Sequence, residues 1–286
     1  GHPRRGAAAA GVRRAGARPD VSVAAAPAKL NLALVVGPRR PDGKHEVVTV
    51  LERLALADQI ELEPAYGLRV DGFAEDTLVR TALESLAGRV GIQPGWHVRI
   101  EKAIPVAAGL GGGSSDAATA LRLANDTLQS PLPPDELAGI AAELGADVPF
   151  FLTEGPQVGR GDGSTLVPIE VRRDYAVLLL LPEGEVKQST GAVYASFDER
   201  NGEMDFPRRS ADLEQAVAGA DLVALPPNDL AWSPFAARLL TRGAFRADVT
   251  GAGPVVYGLF DDRGAAEAAA RALGPVGRTW ITSPAW

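Results

Sequence analysis

The sequence predicts an α+β protein of two domains with layered sheets, and three observations carry that expectation. At 286 residues the chain exceeds what one hydrophobic core usually organises. Strand-like and helix-like stretches intermix in both halves, a pattern foreign to bundles and barrels. Apolar runs are short. The longest, Ala-Val-Leu-Leu-Leu-Leu over 176–181, reads as a buried strand and is far too short to span a bilayer.

Residues 1–20 stand apart as a leader expected to be disordered. Arg4, Arg5, Arg13, Arg14 and Arg18 sit among Ala and Gly, Asp20 is the one acid, and Gly1-His2 has the look of a cloning remnant. Residues 21–36 read as a strand, a break at Pro27 and a second strand. The stretch 37–43 carries Pro38, Pro41 and the Asp42-Gly43 pair, hence a loop. Segments 45–54 and 58–63 alternate like strands. Leu78, Ala82, Leu83 and Leu86 recur at helical spacing within 77–89, whereas 96–101 alternates. A glycine run then gives way to an alanine-rich helix reaching Leu128. Pro134-Asp135-Glu136 opens another helix with acids in its first turn, and Gly145 stops it.

The glycine-rich passage 155–163 marks the expected domain boundary, with residues 21–160 in one domain and 161–286 in the other. Beyond it come strands at 175–181, 246–249 and 255–260, and helices near 211–218, 232–242 and 264–273.

Composition narrows the function. A net charge of −7 argues against general nucleic-acid binding, which wants a basic face. With no cysteine there is no disulfide, no thiolate zinc site and no cysteine nucleophile, and the chain suits a reducing cytoplasm. Of 29 basic residues only Lys29, Lys44, Lys102 and Lys187 are lysine. In so arginine-biased a chain, a lysine inside an apolar strand is out of character as mere solubilising charge.

The segment richest in chemistry is Pro105-Val106-Ala107-Ala108-Gly109-Leu110-Gly111-Gly112-Gly113-Ser114-Ser115-Asp116. Glycines let backbone approach a bulky anion and take positive φ, and the helix that follows offers unpaired N–H groups and a positive dipole end. The junction therefore predicts a phosphate site. Neither common nucleotide loop fits. A Rossmann fingerprint counted from Gly109 needs glycine at Ser114, and one from Gly111 needs it at Asp116. A Walker A loop needs a lysine soon after its glycines, and none occurs between Lys102 and Lys187.

Two charged residues complement this loop. Lys29, in Ala26-Pro27-Ala28-Lys29-Leu30-Asn31-Leu32, is an ammonium in an apolar strand, costly without an anionic partner. The alternative is a strand-end lysine whose stem lies on apolar surface. Asp147 precedes Val148-Pro149, which pre-proline sterics bias toward extended backbone, so its carboxylate projects from a loop. It reads equally as a turn carboxylate capping nearby amides. Together the two suit phosphoryl transfer, the carboxylate taking a proton from an attacking hydroxyl beside a steadying cation. A second glycine turn, Asp248-Val249-Thr250-Gly251-Ala252-Gly253-Pro254, reads either as a plain hairpin or as a second wall over a phosphate.

These motifs resemble those of the GHMP small-molecule kinases. The resemblance rests on Pro-Ala-Lys-Leu-Asn-Leu at 27–32, the loop at 105–115, Gly-Ala-Asp-Val-Pro at 145–149 and Thr-Gly-Ala-Gly at 250–253, and it runs from about Val21 to the C-terminus. It implies a two-domain fold with an N-terminal domain like the second domain of ribosomal protein S5 and a ferredoxin-like C-terminal domain. It implies ATP and Mg²⁺, with Lys29 and Asp147 as the catalytic pair, Asn31 lining the site, residues 105–115 wrapping the phosphates, and Ser114 or Ser115 near the metal.

Asp42-Gly43-Lys44-His45, followed by Leu56-Ala57-Asp58, points within that superfamily to a small cytidine diphosphate-linked alcohol. By the resemblance that substrate is phosphorylated on its 2-hydroxyl in non-mevalonate isoprenoid synthesis, with no nucleic-acid or membrane partner. His45 would contact the cytosine and Tyr194 its other face, while Gly251, Ala252 and Gly253 match the third family motif. Lys44 stands where members usually carry an aromatic, Ala252 where serine is common, and Thr77 where Asn is frequent. A mevalonate- or homoserine-type acceptor is the alternative, and a non-catalytic relative a more distant one. His97, in an alternating strand, reads as structural.

Overall fold

The computed structural model describes residues 21–73, 77–185 and 188–285. The expected leader, Lys187 and the side chain of Thr77 lie outside the described residues.

The first sheet is organised by a long antiparallel hairpin, β1 (Ser22–Arg39) and β2 (His45–Pro64). β3 (Arg69–Asp71) adds in parallel to β4 (Trp96–Glu101), which pairs with the second half of β2. β5 (Gln157–Gly161) pairs with its first half and β6 (Thr165–Pro168) closes the sheet. α1 (Thr77–Val90), α2 (Gly112–Asp126) and α3 (Pro134–Leu144) cover one face. The second sheet has the order β10-β7-β9-β8, from β7 (Ala176–Pro182), β8 (Arg246–Val249), β9 (Val256–Phe260) and β10 (Gly277–Thr282). α4 (Thr190–Glu199), α5 (Phe206–Ala218), α6 (Pro234–Leu240) and α7 (Arg263–Leu273) complete the chain.

Three stacked cores explain the sequence pattern. One lies between the first sheet and α1–α3, one between the two sheets, and one between the second sheet, α6 and α7. Val177 and Leu179 of β7 face the middle core, while Ala176, Leu178 and Leu180 face the outer one. A strand buried on both faces has no polar alternation to show, hence the unbroken apolar run.

The structure departs from expectation at several places, the unforeseen strands β3, β5, β6 and β10 among them. Pro27 makes a bulge rather than a break: the register with β2 shifts between Pro27 and Ala28 and the strand continues. Proline is tolerated there because β1 is an edge strand, where a missing N–H removes no ladder bond. The segments 45–54 and 58–63 merge into β2 for the matching reason. The two residues looped out by the shift, Ala55 and Leu56, donate their N–H groups to Ser283 O and Thr282 Oγ1, both at 2.9 Å. The glycine passage is a hairpin turn rather than a linker, with Gly161 and Gly163 at φ 71° and 100°. A division at 160/161 therefore falls inside the first sheet, which runs to Pro168.

Val148 is helical, at φ −66° and ψ −43°, rather than extended. Its N–H bonds to Gly145 O and its carbonyl accepts from Phe151 N, so two turn bonds outweigh the pre-proline bias. α4 was not anticipated, because only Val193 and Phe197 of its residues are buried and the periodic signal is thin. His97 is structural as expected, its ring nitrogens lying 3.0 Å from Glu63 Oε1 and 2.8 Å from Asp71 Oδ2.

Candidate active site

The outer edge of β1 carries no strand among the described residues, and its amides recruit the site. Lys29 N–H donates to Leu110 O at 2.8 Å, Asn31 N–H to Thr250 Oγ1 at 2.9 Å, and Val36 N–H to Asp229 Oδ2 at 2.9 Å. An unpaired strand edge is thus satisfied by the first glycine loop and the second glycine turn, which places both beside Lys29.

A cavity of about 570 Å³ opens along this edge. The whole run from Pro105 to Ser114 lines it, with Lys29, Asn31, Asp147, Tyr194, Gly251 and Ala252. Ser115, His45 and Gly253 do not line it: Gly253 lines a neighbouring pocket, and His45 reaches the cavity only through Tyr194. Ser115 is fully buried and its hydroxyl has no partner, so of the two serines it is Ser114 that faces the cavity.

The glycines are needed for close approach. Gly111 has φ 71°, and a β-carbon on it would fall 2.7 Å from Lys29 Cγ and 3.0 Å from Phe151 Cζ. Gly109, at φ 81°, faces the carbonyls of Gly253 and Thr250, which a β-carbon would meet at 3.0 and 3.1 Å. No side chain caps α2, so the amides of its first turn are left to the cavity that Gly112, Gly113 and Ser114 line.

Lys29 is 6% exposed. Its ammonium donates to Asn31 Oδ1 at 2.8 Å and lies 3.3 Å from Asp147 Oδ1, a carboxylate that is half open to solvent. Asn31 Nδ2 donates to Thr49 Oγ1 at 2.8 Å, which in turn donates to Ala33 O at 2.7 Å. The relay fixes the Asn31 amide with its oxygen toward the ammonium. Thr250 belongs to the second glycine turn, whereas Thr49 carries no motif in the sequence. The available signal was weak, a lone hydroxyl in the apolar strand Val47-Val48-Thr49-Val50-Leu51.

At the other end of the cavity His45 stacks on Tyr194, with ring centroids 4.7 Å apart and planes at 26°. The structure brings the two together, but rings in contact leave no slot for a third between them. His45 Nε2 lies 2.7 Å from Asp198 Oδ1, and His45, then Arg39, hold that carboxyl below its usual range. Burial, with the Asp147 charge adding to it, pushes the Tyr194 hydroxyl up to about 12. Lys44 Nζ reaches Asp162 Oδ2 at 2.5 Å. Burial opposes ionisation of Asp162, yet Lys44 and Ser164 bring its carboxyl down to about 2.

Residues 77–155 match the GHMP kinases N terminal domain and residues 234–277 the GHMP kinases C terminal domain, so fold and site together define a GHMP kinase. The 4-diphosphocytidyl-2-C-methyl-D-erythritol kinase of Nocardia farcinica is 39% identical, over 91% of this chain and 91% of its own. Its counterpart from Anaeromyxobacter sp. is 39% identical over 87% of this chain and 85% of its own. The chain belongs to the 4-diphosphocytidyl-2-C-methyl-D-erythritol kinase family. A crystal structure of 4-(cytidine 5'-diphospho)-2C-methyl-D-erythritol kinase superposes with TM-score 0.77 at 30% identity, covering 93% of this chain and all of that one. The homoserine kinase of Cytophaga hutchinsonii, at 16% identity and TM-score 0.72 over 96% and 98% of the two chains, shares the fold alone.

Proposed function

We propose that this protein transfers the γ-phosphoryl group of ATP to the 2-hydroxyl of 4-diphosphocytidyl-2-C-methyl-D-erythritol. The observation that carries the reading is the Lys29–Asp147 pair, 3.3 Å apart on the wall of a cavity that the phosphate loop also lines. The amides at the start of α2 hold the polyphosphate by backbone donors and helix dipole. Asp147 accepts the proton of the 2-hydroxyl as its oxygen bonds to the γ-phosphorus, while the bond from that phosphorus to the β,γ-bridging oxygen breaks and ADP leaves. The Lys29 ammonium, oriented by Asn31, balances the negative charge gathered between carboxylate and transferring group.

Mg²⁺ suits these residues. Among the described residues no cluster of three or more His, Cys, Asp or Glu side chains could hold a metal, so the protein offers few oxygens of its own. That is how Mg²⁺ is usually held at a nucleotide, by one or two protein oxygens together with phosphates and water. Ser114, on the cavity wall, would supply one such oxygen, and the ion would neutralise phosphate charge. No helix among the described residues is long and apolar enough to cross a membrane. We place the reaction in the cytoplasm, which fits a chain without cysteine.

An ADP-release assay tests this over a panel of acceptors: the cytidine diphosphate-linked alcohol, mevalonate and homoserine. Turnover is expected with the first alone, and CMP or CDP should compete with it. Turnover of either other alcohol without inhibition by cytidine nucleotides would overturn the assignment. Asp147→Asn should cut kcat by roughly 10²–10⁴-fold and leave MgADP binding nearly intact; near-normal turnover would remove Asp147 from the base role.

A further inference from the structure

A second charged cluster stands beside the glycine loop, its Lys102 on the wall of the same cavity, and the mechanism above makes no use of it. Lys102, just after β4, places its ammonium 2.6 Å from Asp58 Oδ2 and 2.6 Å from Asp116 Oδ2. Asp58 and Asp116 are 1% and 0% exposed. Asp58 belongs to β2, and its other oxygen accepts from Ala103 N at 2.6 Å and Ile104 N at 2.8 Å. Asp116 lies on α2, one turn after its start. One ammonium therefore ties three elements that meet at the loop: β2, the end of β4 and the first turns of α2.

The contact with the cradle is direct. A β-carbon on Gly112, the first residue of α2, would lie 3.3 Å from Lys102 Nζ and 3.4 Å from Asp58 Oδ2. Burial alone would push the Lys102 ammonium down, but the two carboxylates overrule it and hold it above its ordinary value. A cation so engaged is a poor candidate for a phosphate ligand, since leaving the cluster would strand two carboxylates in a buried site. Its place suits another task.

We infer that Lys102 is a positioning residue for the phosphoryl donor: clamped between Asp58 and Asp116, it sets where α2 begins, and so where the amides of Gly112, Gly113 and Ser114 stand relative to Lys29 and Asp147. Removing the charge leaves two buried carboxylates with no cation between them, and like charges so close drive their carriers apart. The carrier free to shift is the start of α2. A displacement there of about 1 Å is enough to cost a transfer step on the order of 100-fold.

The inference rests on ATP as donor, and the experiment separates the two ideas. MgADP affinity is measured by calorimetry, and KM for the alcohol, kcat and the melting temperature are measured alongside it. Wild type that fails to bind MgADP would sink the functional reading itself. If wild type binds it, Lys102→Met should weaken MgADP about tenfold or more and lower kcat, with KM for the alcohol within about twofold, because the clamp touches nothing at the His45–Tyr194 end of the cavity. Asp116→Asn keeps the side chain's shape and the Asp58 bond, so it should fold normally and weaken MgADP by about threefold. Adding Asp116→Asn to Lys102→Met should recover part of the loss, since it removes the repulsion that Lys102→Met creates. An equal loss for both ligands, or unchanged MgADP affinity in folded Lys102→Met, would overturn the assignment. If Lys102→Met does not fold, Asp116→Asn decides by the same comparison.

Discussion

The Lys29 amide donates to the Leu110 carbonyl at 2.8 Å, and this bond joins the strand that carries the ammonium to the glycine loop that lines the cavity. The register of β1 and the path of the loop are thereby set together. Proximity of cation, carboxylate and cradle follows from edge-strand hydrogen bonding rather than from any sequence neighbourhood: 118 positions separate Lys29 from Asp147.

Gly111→Ala should break this arrangement from the loop side. The residue sits at φ 71°, which costs an L-residue about 1 kcal/mol or more, and its β-carbon would fall 2.7 Å from Lys29 Cγ. Expected is a loss of about tenfold or more in kcat/KM with only a modest drop in melting temperature. Steady-state kinetics at wild-type level would show that the close approach is dispensable.

Lys29→Met keeps the aliphatic stem and removes the charge. If the ammonium balances charge in the transition state, kcat should fall by about 100-fold or more while MgADP affinity changes little. Unchanged kcat with a lowered melting temperature would leave Lys29 a purely structural lysine.

Glu52 makes stability depend on pH. It is fully buried between the sheets, accepts from the Tyr175 hydroxyl, and leaves Oε1 without a partner. Burial raises its carboxyl from 4.5 to about 7, against the pull of Tyr175 and Arg173. The sign follows: between those two values the folded chain binds the proton and the unfolded chain does not, so stability falls as pH rises through this window. The loss is on the order of 2–3 kcal/mol, and Glu52→Gln should abolish it. Denaturant titrations at pH 5 and pH 8 provide the check; a slope unaltered in Glu52→Gln would refute it.

Arg246 should prove indispensable for folding. It is 7% exposed and donates to the carbonyls of Leu32, Leu222, Leu225 and Pro226 and to the Tyr257 hydroxyl, which itself donates to Leu32 O. Arg246→Met strands these acceptors beside β1, and a loss of about 3 kcal/mol or more is expected in equilibrium unfolding. A variant as stable as wild type would contradict this reading of the network.

A pyrimidine can reach His45 and Tyr194 only if their stack opens or offers an outer face. The His45 ring protons, shifted upfield by Tyr194 in the free protein, should move downfield on saturation with CDP if the rings part. Resonances left in place with CDP bound would mean that the base stacks elsewhere.

The glycine loop, the Lys29 strand, Gly145-Ala146-Asp147 and the second glycine turn were legible from sequence, because each is a contiguous run whose residue types have few other uses. So were most strands and helices, and the layered α+β class. Less legible was whatever depended on a partner far along the chain. Pro27 read as a break because proline lacks an N–H, and only the edge position of β1 makes that harmless. Val148 reads as extended because proline follows it, and only its turn bonds with Gly145 and Phe151 make it helical. Asp58, Lys102 and Asp116 lie on three elements and share no motif, and the hairpin nature of 155–163 shows only in the pairing of β5 with β6.

Local chain chemistry alone determined where backbone could make close approaches, since positive φ and absent side chains are written residue by residue. The folded molecule decided which of the buried charges face one another and which of two adjacent serines opens to the cavity. Electrostatic partners and solvent exposure are properties of distance in space, and residues remote in sequence acquire that distance only when the sheets stack.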